Sequence, residues 1–206
     1  MTLSSDDTKR LHVPRRDQSR ISGARRRRLP LLCVACRLAS HCINAWRMRH
    51  KPRHRNNIAK SRAVLRQLRA WEGPYLHPRC FAFLRKVDPL IFEEMVLTAL
   101  EDCGLFVWRN VRYTGDGGID GKAWHPRHGW CAIQVKRYSE HVSAGHVRQF
   151  AELVATHRYP AGLFVHSGRS GAALYQHLGH SRLTLISGER LLALLLRCEL
   201  GRLWKS

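Results

Sequence analysis

The sequence predicts an α/β fold in which a mixed central sheet is flanked by helices, with core order αβββαβ. Three observations predict it. A well-capped apolar helix occupies residues 89–103, three extended segments follow without an intervening helix, and strands then alternate with helices to the end of the pattern. Strands that run together pair as antiparallel neighbours, whereas strands separated by helices cross over and pair in parallel, so a mixed sheet covered by helices follows.

The first helix is bracketed by its own punctuation. Asp88 is suited to cap it, Pro89 fits the first helical position and Gly104 ends it. At about 100° per residue, Phe92, Val96, Ala99, Leu100 and Cys103 form a core-facing arc, and Glu94, Thr98, Glu101 and Asp102 gather on the opposite, polar side. Glu93 stands apart from both, at the margin between Leu97 and Leu100, where a carboxylate needs a partner or a purpose. The extended segments are LFVWRNVRY (105–113), a glycine-rich stretch containing Ile119 and Asp120, and WCAIQVKRY (130–138). Ser143 is expected to cap a helix carrying Val147, Phe150, Leu153 and Val154. AGLFVHS (161–167) reads as a buried strand, GAALYQHL (171–178) as a short helix, LTLIS (183–187) as a strand and ERLLALLLRCEL (189–200) as the closing helix.

The chain has 206 residues, with 36 Lys and Arg against 15 Asp and Glu and a net charge of +21. An apolar fraction of 44% supplies a real core and excludes a wholly disordered chain. Residues 1–75 hold 19 basic and 4 acidic side chains, net +15, whereas residues 76–206 hold 17 and 11, net +6. Three parts are therefore expected: a disordered basic arm over 1–28, a basic, partly helical extension over 29–78, and a globular domain over 79–206. Within the extension, Ile58, Val64, Leu65 and Leu68 are spaced loosely like one helical face, and Glu72-Gly73-Pro74 breaks the chain.

Such a charge points to a polyanion, nucleic acid or an anionic membrane surface. The run Leu29–Trp46 is interrupted by Arg37, His41 and Asn44, so a membrane span is not expected, although contact with a membrane surface stays open. MTLSSDDTKR is too polar for a secretory leader, and seven cysteines without a dense framework read as reduced thiols of a cytoplasmic protein. Cys33 and Cys36 with His50 and His54 nearly imitate a zinc finger but lack its packing residues. They read as buried or incidental, with zinc binding left open. Cys80, Cys103, Cys131 and Cys198 read as core residues, and His125 and His128 as loop residues.

Residues 113–138 carry the chemistry. Asp116 and Asp120 lie in a glycine-rich turn, and Gln134 and Lys136 are two apart on a strand, hence on one face of the sheet. If Asp120 and Gln134 are neighbours across a hairpin, a carboxylate, an amide oxygen and an ammonium converge. Mg²⁺ prefers such oxygen ligands, Mn²⁺ being a substitute, and Lys136 is suited to orient water or offset charge on phosphorus. Glu93 would complete the site from the helix. Spacing alone leaves a plain turn and a surface lysine equally open.

The segment from about Asp88 to Leu196 resembles the catalytic domain of Mrr-like restriction endonucleases, within the PD-(D/E)xK nuclease superfamily. The resemblance rests on IFEEMVLTALEDCGLFV, GDGGIDG (115–121) and IQVKRY (133–138), with AGLFVHSGRSGAALYQHL and LTLISGERLLALLL similar to the family's later units. It implies a restriction-endonuclease-like fold and a Mg²⁺-dependent endonuclease acting on double-stranded DNA, modified DNA included, in restriction or DNA defence. Asp120 and Gln134 would then be metal ligands, Gln134 and Lys136 the QxK pair that replaces (D/E)xK, and Glu93 the helix carboxylate. Asp116 would shape the turn, while His166, Ser167 and Ser170 fall where a family strand meets its next helix. Candidate phosphate contacts are Arg25, Arg26, Arg27, Arg28, Arg137 and Ser167, with Trp46 and Trp71 placed either to stack on bases or to pack helices. A noncatalytic nucleic-acid binder, a repair or junction nuclease and a homodimeric assembly all stay open.

Overall fold

The computed structural model describes residues 31–111, 118–171 and 182–199, together with Leu174 and Leu178. Helices α1 (Leu31–Arg47), α2 (Pro52–Arg69) and α3 (Leu76–Leu84) precede α4 (Pro89–Asp102). Strands β1 (Phe106–Arg109), β2 (Gly121–His125) and β3 (Gly129–Lys136) follow. Then come α5 (Ala144–Thr156), β4 (Ala161–His166), β5 (Leu183–Ile186) and α6 (Gly188–Arg197). The predicted helix at 171–178 lies largely outside the described residues; Leu174 and Leu178 are buried beside α5 and β4.

The sheet runs β1-β2-β3-β4-β5, antiparallel through β3 and parallel beyond it, as the connection pattern requires. Odd-numbered side chains of β3 and β4, such as Ile133, Val135, Leu163 and Val165, enter a core with α2, α3, α4 and α6. Ala132 and Phe164 face the other way, into a second core with Val147, Phe150 and Val154 of α5.

Helix α4 begins as its sequence predicts, with the Asp88 carboxylate accepting from the Leu90 and Ile91 N–H groups (2.9 and 3.2 Å). At α5 the expectation fails in part: Ser143 occupies the cap position, but its hydroxyl caps nothing. The far side of α4 is polar, as its sequence predicts, and it is also buried. Glu94, Thr98 and Glu101 are each at most 3% exposed, because α1 and α2 cover them.

Arg109, the last residue of β1 and 1% exposed, supplies the compensating charge. Its guanidinium bonds Glu94 and Glu101, the latter at 2.8 Å, and Thr98 at 3.1 Å. His54 of α2 lies 3.3 Å from Glu94, and Ser61 is 3.2 Å from Thr98. Asp102 at the end of the helix pairs with Arg37 of α1 (2.8 Å) and Arg69 of α2 (2.7 Å). Part of the N-terminal positive charge is thus spent on the acids of α4.

Helix α1 is inverted, with its polar residues inside. Ser40 Oγ donates to the Val107 carbonyl and accepts from the Val107 N–H (2.8 and 3.1 Å). Asn44 donates to the same carbonyl (2.7 Å) and accepts from the Arg109 N–H (3.2 Å). These side chains satisfy the open edge of β1, which would otherwise present unpaired backbone groups. Leu32, Leu38 and Trp46 stand on the outside. No described helix is long and apolar enough to cross a membrane.

Candidate active site

Hairpin register decides whether the predicted residues meet. Strands β2 and β3 pair from Gly121 opposite Ile133 to His125 opposite Gly129. Asp120 stands just before β2, and its N–H also donates to the Ile133 carbonyl at 2.8 Å. Two residues therefore face one, as in a β-bulge, a device that re-aims a side chain. The re-aimed carboxylate accepts from the Val135 N–H at 2.6 Å through Oδ2. Asp120 is thus gripped by backbone groups of the residues on either side of Gln134, which places both residues at the same end of the hairpin.

The opposite flank is fixed by a residue that sequence reasoning missed. The Asn110 N–H donates to the Asp120 carbonyl (3.4 Å), and its side-chain amide donates to the Ile119 carbonyl. An asparagine just past a short strand has no periodic signature; the only available signal was the tendency of Asn to bond nearby backbone in turns. Gly118 closes the turn with φ +93°, and a Cβ there would lie 2.5 Å from Gln134 Nε2. Glycine is required for both the backbone angle and the close approach.

Gln134 is 7% exposed, and its buried Oε1 meets no hydrogen-bond donor among the described residues. Burying an amide oxygen without a partner costs about 1–3 kcal/mol, so the position calls for an electropositive guest. Beside the Asp120 carboxylate, this oxygen makes a hard donor set of the kind Mg²⁺ prefers. The residues therefore fit a divalent cation. Lys136 ends β3 on the same face as Gln134, half-buried, opposite His166 in register.

Glu93 is half-buried in the first turns of α4. Leu97 packs so closely on Gly121 that a Cβ on that glycine would lie 2.9 Å from its Cδ2. Glu93 is one helical turn from Leu97 on the same side, about 5.4 Å toward the N-terminus. This sets it toward the Asp120 end of the sheet.

Other candidates have different surroundings. Arg137 donates to the Arg85 carbonyl, tying the end of β3 to the segment before α4. Ser167 is fully buried, accepting from the Tyr138 N–H (3.0 Å) and donating to the Tyr138 carbonyl (2.9 Å), so its hydroxyl is engaged in clamping the β3 and β4 ends. Ser170 lies 3.2 Å from His166 Nε2 and 3.1 Å from Ser187. Asp116 and Arg25–Arg28 lie outside the described residues. Trp71 packs edge-on against Phe83, while Trp46 is exposed beneath Arg49. His54 is engaged with Glu94 and His50 with Arg49, and among the described residues no three His, Cys, Asp or Glu side chains form a metal-holding group. Cys80, Cys103 and Cys131 are buried, as expected, and Cys198 half-buried.

His166 is fully buried, and burial pushes its imidazole down to about 4. The folded protein therefore keeps it neutral where the unfolded chain takes up a proton, near pH 6.5. Stability contributed by this group is complete above that pH and is lost as pH falls from about 6.5 to about 4. The expected loss is up to about 3 kcal/mol, read as the unfolding free energy in urea at pH 7 and pH 4. His166→Gln should flatten that interval; an unchanged slope would remove His166 as its source.

Residues 84–195 match the family model of the Mrr catalytic domain, described as a restriction endonuclease. Among solved structures, the chain is similar to the MspJI restriction endonuclease in complex with a 27-mer oligonucleotide, at 22% identity and a TM-score of 0.38. The likeness covers 66% of this chain and 31% of that one, so the chain spans under a third of that protein. No curated protein matches the sequence.

Proposed function

Because the chain belongs to the restriction endonuclease family of the Mrr catalytic domain, and so to a family of nucleases, we propose that it is a Mg²⁺-dependent endonuclease that hydrolyses phosphodiester bonds in double-stranded DNA. The proposed setting is restriction or DNA defence in the cytoplasm. One observation carries the reading: Asp120 is pinned by Val135 next to Gln134, whose buried Oε1 meets no donor among the described residues, and Lys136 stands on the same strand face. A structural turn has no use for a buried amide oxygen held next to a carboxylate.

Asp120 and Gln134 would hold the metal, with Glu93 approaching from α4. Bound there, Mg²⁺ supplies Lewis-acid polarisation of the phosphoryl oxygens. The protein's own groups do the remainder. The bulge and the Asn110 contacts hold the Asp120 carboxylate in place before substrate arrives. Lys136 orients the attacking water and offsets the negative charge that builds on phosphorus.

Metal removal tests the reading. Supercoiled plasmid incubated with the full chain should be nicked or linearised with Mg²⁺ or Mn²⁺ and stay intact with EDTA. Methylated, unmethylated and branched duplexes compared side by side identify the DNA feature cut. If none is cleaved with either metal, the chain is a noncatalytic binder that has kept the fold.

A further inference from the structure

The sheet face that carries Gln134 and Lys136 continues, away from them, into an uncovered aromatic surface. Along β3, alternation places Trp130, Ala132, Gln134 and Lys136 on one side. Trp124 pairs with Trp130 and with Phe106, and Lys122 pairs with Ala132 and with Trp108. The intervening Val107, Ala123 and Cys131 are completely buried on the α4 side. Helix α5 covers Ala132 and Phe164 but leaves the outer strands bare, so Trp108 and Trp124 are 36% and 44% exposed. Trp108, Lys122, Trp130 and Tyr159 line an open cavity of about 400 Å³, within the usual 300–1,000 Å³ of ligand sites.

The chemistry of this surface is specific. Its rings meet edge to face, Trp124 against Trp130 at 75° and Phe106 against Trp130 at 79°, so no two of them are stacked, and the exposed parts of Trp108 and Trp124 are what a planar guest can reach. The charges are cationic: the Arg47 guanidinium lies 3.8 Å over Trp108, and Lys122 Nζ is 5.3 Å from the Tyr159 ring centre. Among the described residues, no carboxylate lines the cavity. Flat aromatic faces interleaved with positive charge suit unpaired nucleobases and their phosphates. Bases inside a duplex are already stacked and cannot use them.

We propose that this face binds the unpaired bases of a single-stranded or locally opened DNA strand, stacking them on the exposed parts of Trp108 and Trp124 while Lys122 meets the phosphates; Arg47, which donates to the Arg109 carbonyl (2.9 Å), backs the Trp108 ring. Four residues of strand, about 13 Å, separate Trp130 from Gln134. The platform and the candidate site thus share one sheet face, with Ala132 between them covered by α5. The proposal deepens the nuclease reading and rests on it for the choice of DNA.

The test is a fluorescence-anisotropy titration of the full chain with a labelled 12-mer of thymidylate in EDTA, where no cleavage is needed. The 12-mer is compared with an abasic strand of equal length and with a duplex. Stacking predicts that the abasic strand and the duplex each bind at least about ten-fold more weakly. Trp108→Ala should weaken binding of the thymidylate strand about ten-fold, and Trp108→Phe should restore most of it. Lys122→Ala should weaken thymidylate and abasic strands alike. Thermal melting confirms that the variants fold, and the half-buried Lys122 and the Phe variant keep the test open if Trp108→Ala does not. Equal affinity for abasic and thymidylate strands overturns the proposal. So does a concentration-dependent dimer in sedimentation that Trp108→Ala dissolves, since a second copy would then own the face. Cleavage is measured separately with Mg²⁺, so a dead nuclease with base-dependent binding and an active nuclease without it are distinct results.

Discussion

Asp120→Asn and Lys136→Ala are each expected to lower DNA cleavage by at least about 100-fold while leaving the fold intact. The asparagine keeps the size of the side chain, and its amide oxygen still accepts from the Val135 N–H that holds Asp120 now. What disappears is the negative charge on which a divalent cation would depend. Lys136 ends its strand half-exposed, so truncating it removes an ammonium without opening the core. Plasmid cleavage measures the first effect. Thermal melting and DNA affinity in EDTA check the second, and both should stay close to those of the parent chain. Parental cleavage rates in both variants would remove the site from Asp120 and Lys136 altogether.

Arg109→Met is expected to destabilise the fold by about 3–5 kcal/mol. The guanidinium is the cation shared by Glu94 and Glu101, all three being nearly inaccessible to water. Removing it takes away the cation shared by two buried carboxylates, leaving Glu94 with His54 and Glu101 with Ser40, Asn44 and the more distant Arg62, and a buried charge that loses its main partner is costlier than a lost pair. The triple variant Arg109→Met, Glu94→Gln, Glu101→Gln should recover much of that loss, because the two charges go with their partner. Arg37→Ala is the contrasting case. Its guanidinium is half-exposed beside Asp102, and such surface pairs contribute about 0–1 kcal/mol. Urea denaturation of the four proteins reads the series. If Arg109→Met costs no more than Arg37→Ala, the buried network does not hold α1 and α2 to the domain.

Much of the architecture was legible because it obeys local rules. Helix α4 announces itself through Asp88, Pro89 and Gly104. The sheet order follows from whether a helix separates consecutive strands, and the placement of Gln134 and Lys136 on one face needs only the two-residue period. That the polar face of α4 is buried was not legible, for an equally physical reason. Periodicity sorts residues into polar and apolar sides, but it cannot say that another helix will bring His54, Ser61 and Ser40 to bury the polar one. Nor does it say that Arg109, in an extended segment, will turn inward beneath them. Helix α1 inverts the rule, since an open strand edge needs hydrogen bonds more than it needs methyl groups.

By itself the sequence determined the fold class, the family and the residue types from which a metal-dependent hydrolase would be built. These depend on caps, turns and short-range spacing, which act between near neighbours in the chain. Only the tertiary structure decided that a bulge aims Asp120 at Val135, that Gln134 Oε1 is buried without a donor among the described residues, and that Trp108, Trp130 and Tyr159 gather with Lys122 around one cavity. Such facts depend on register and on which surfaces exclude water. Both are set by contacts between segments far apart in the sequence, where no local pattern carries the information.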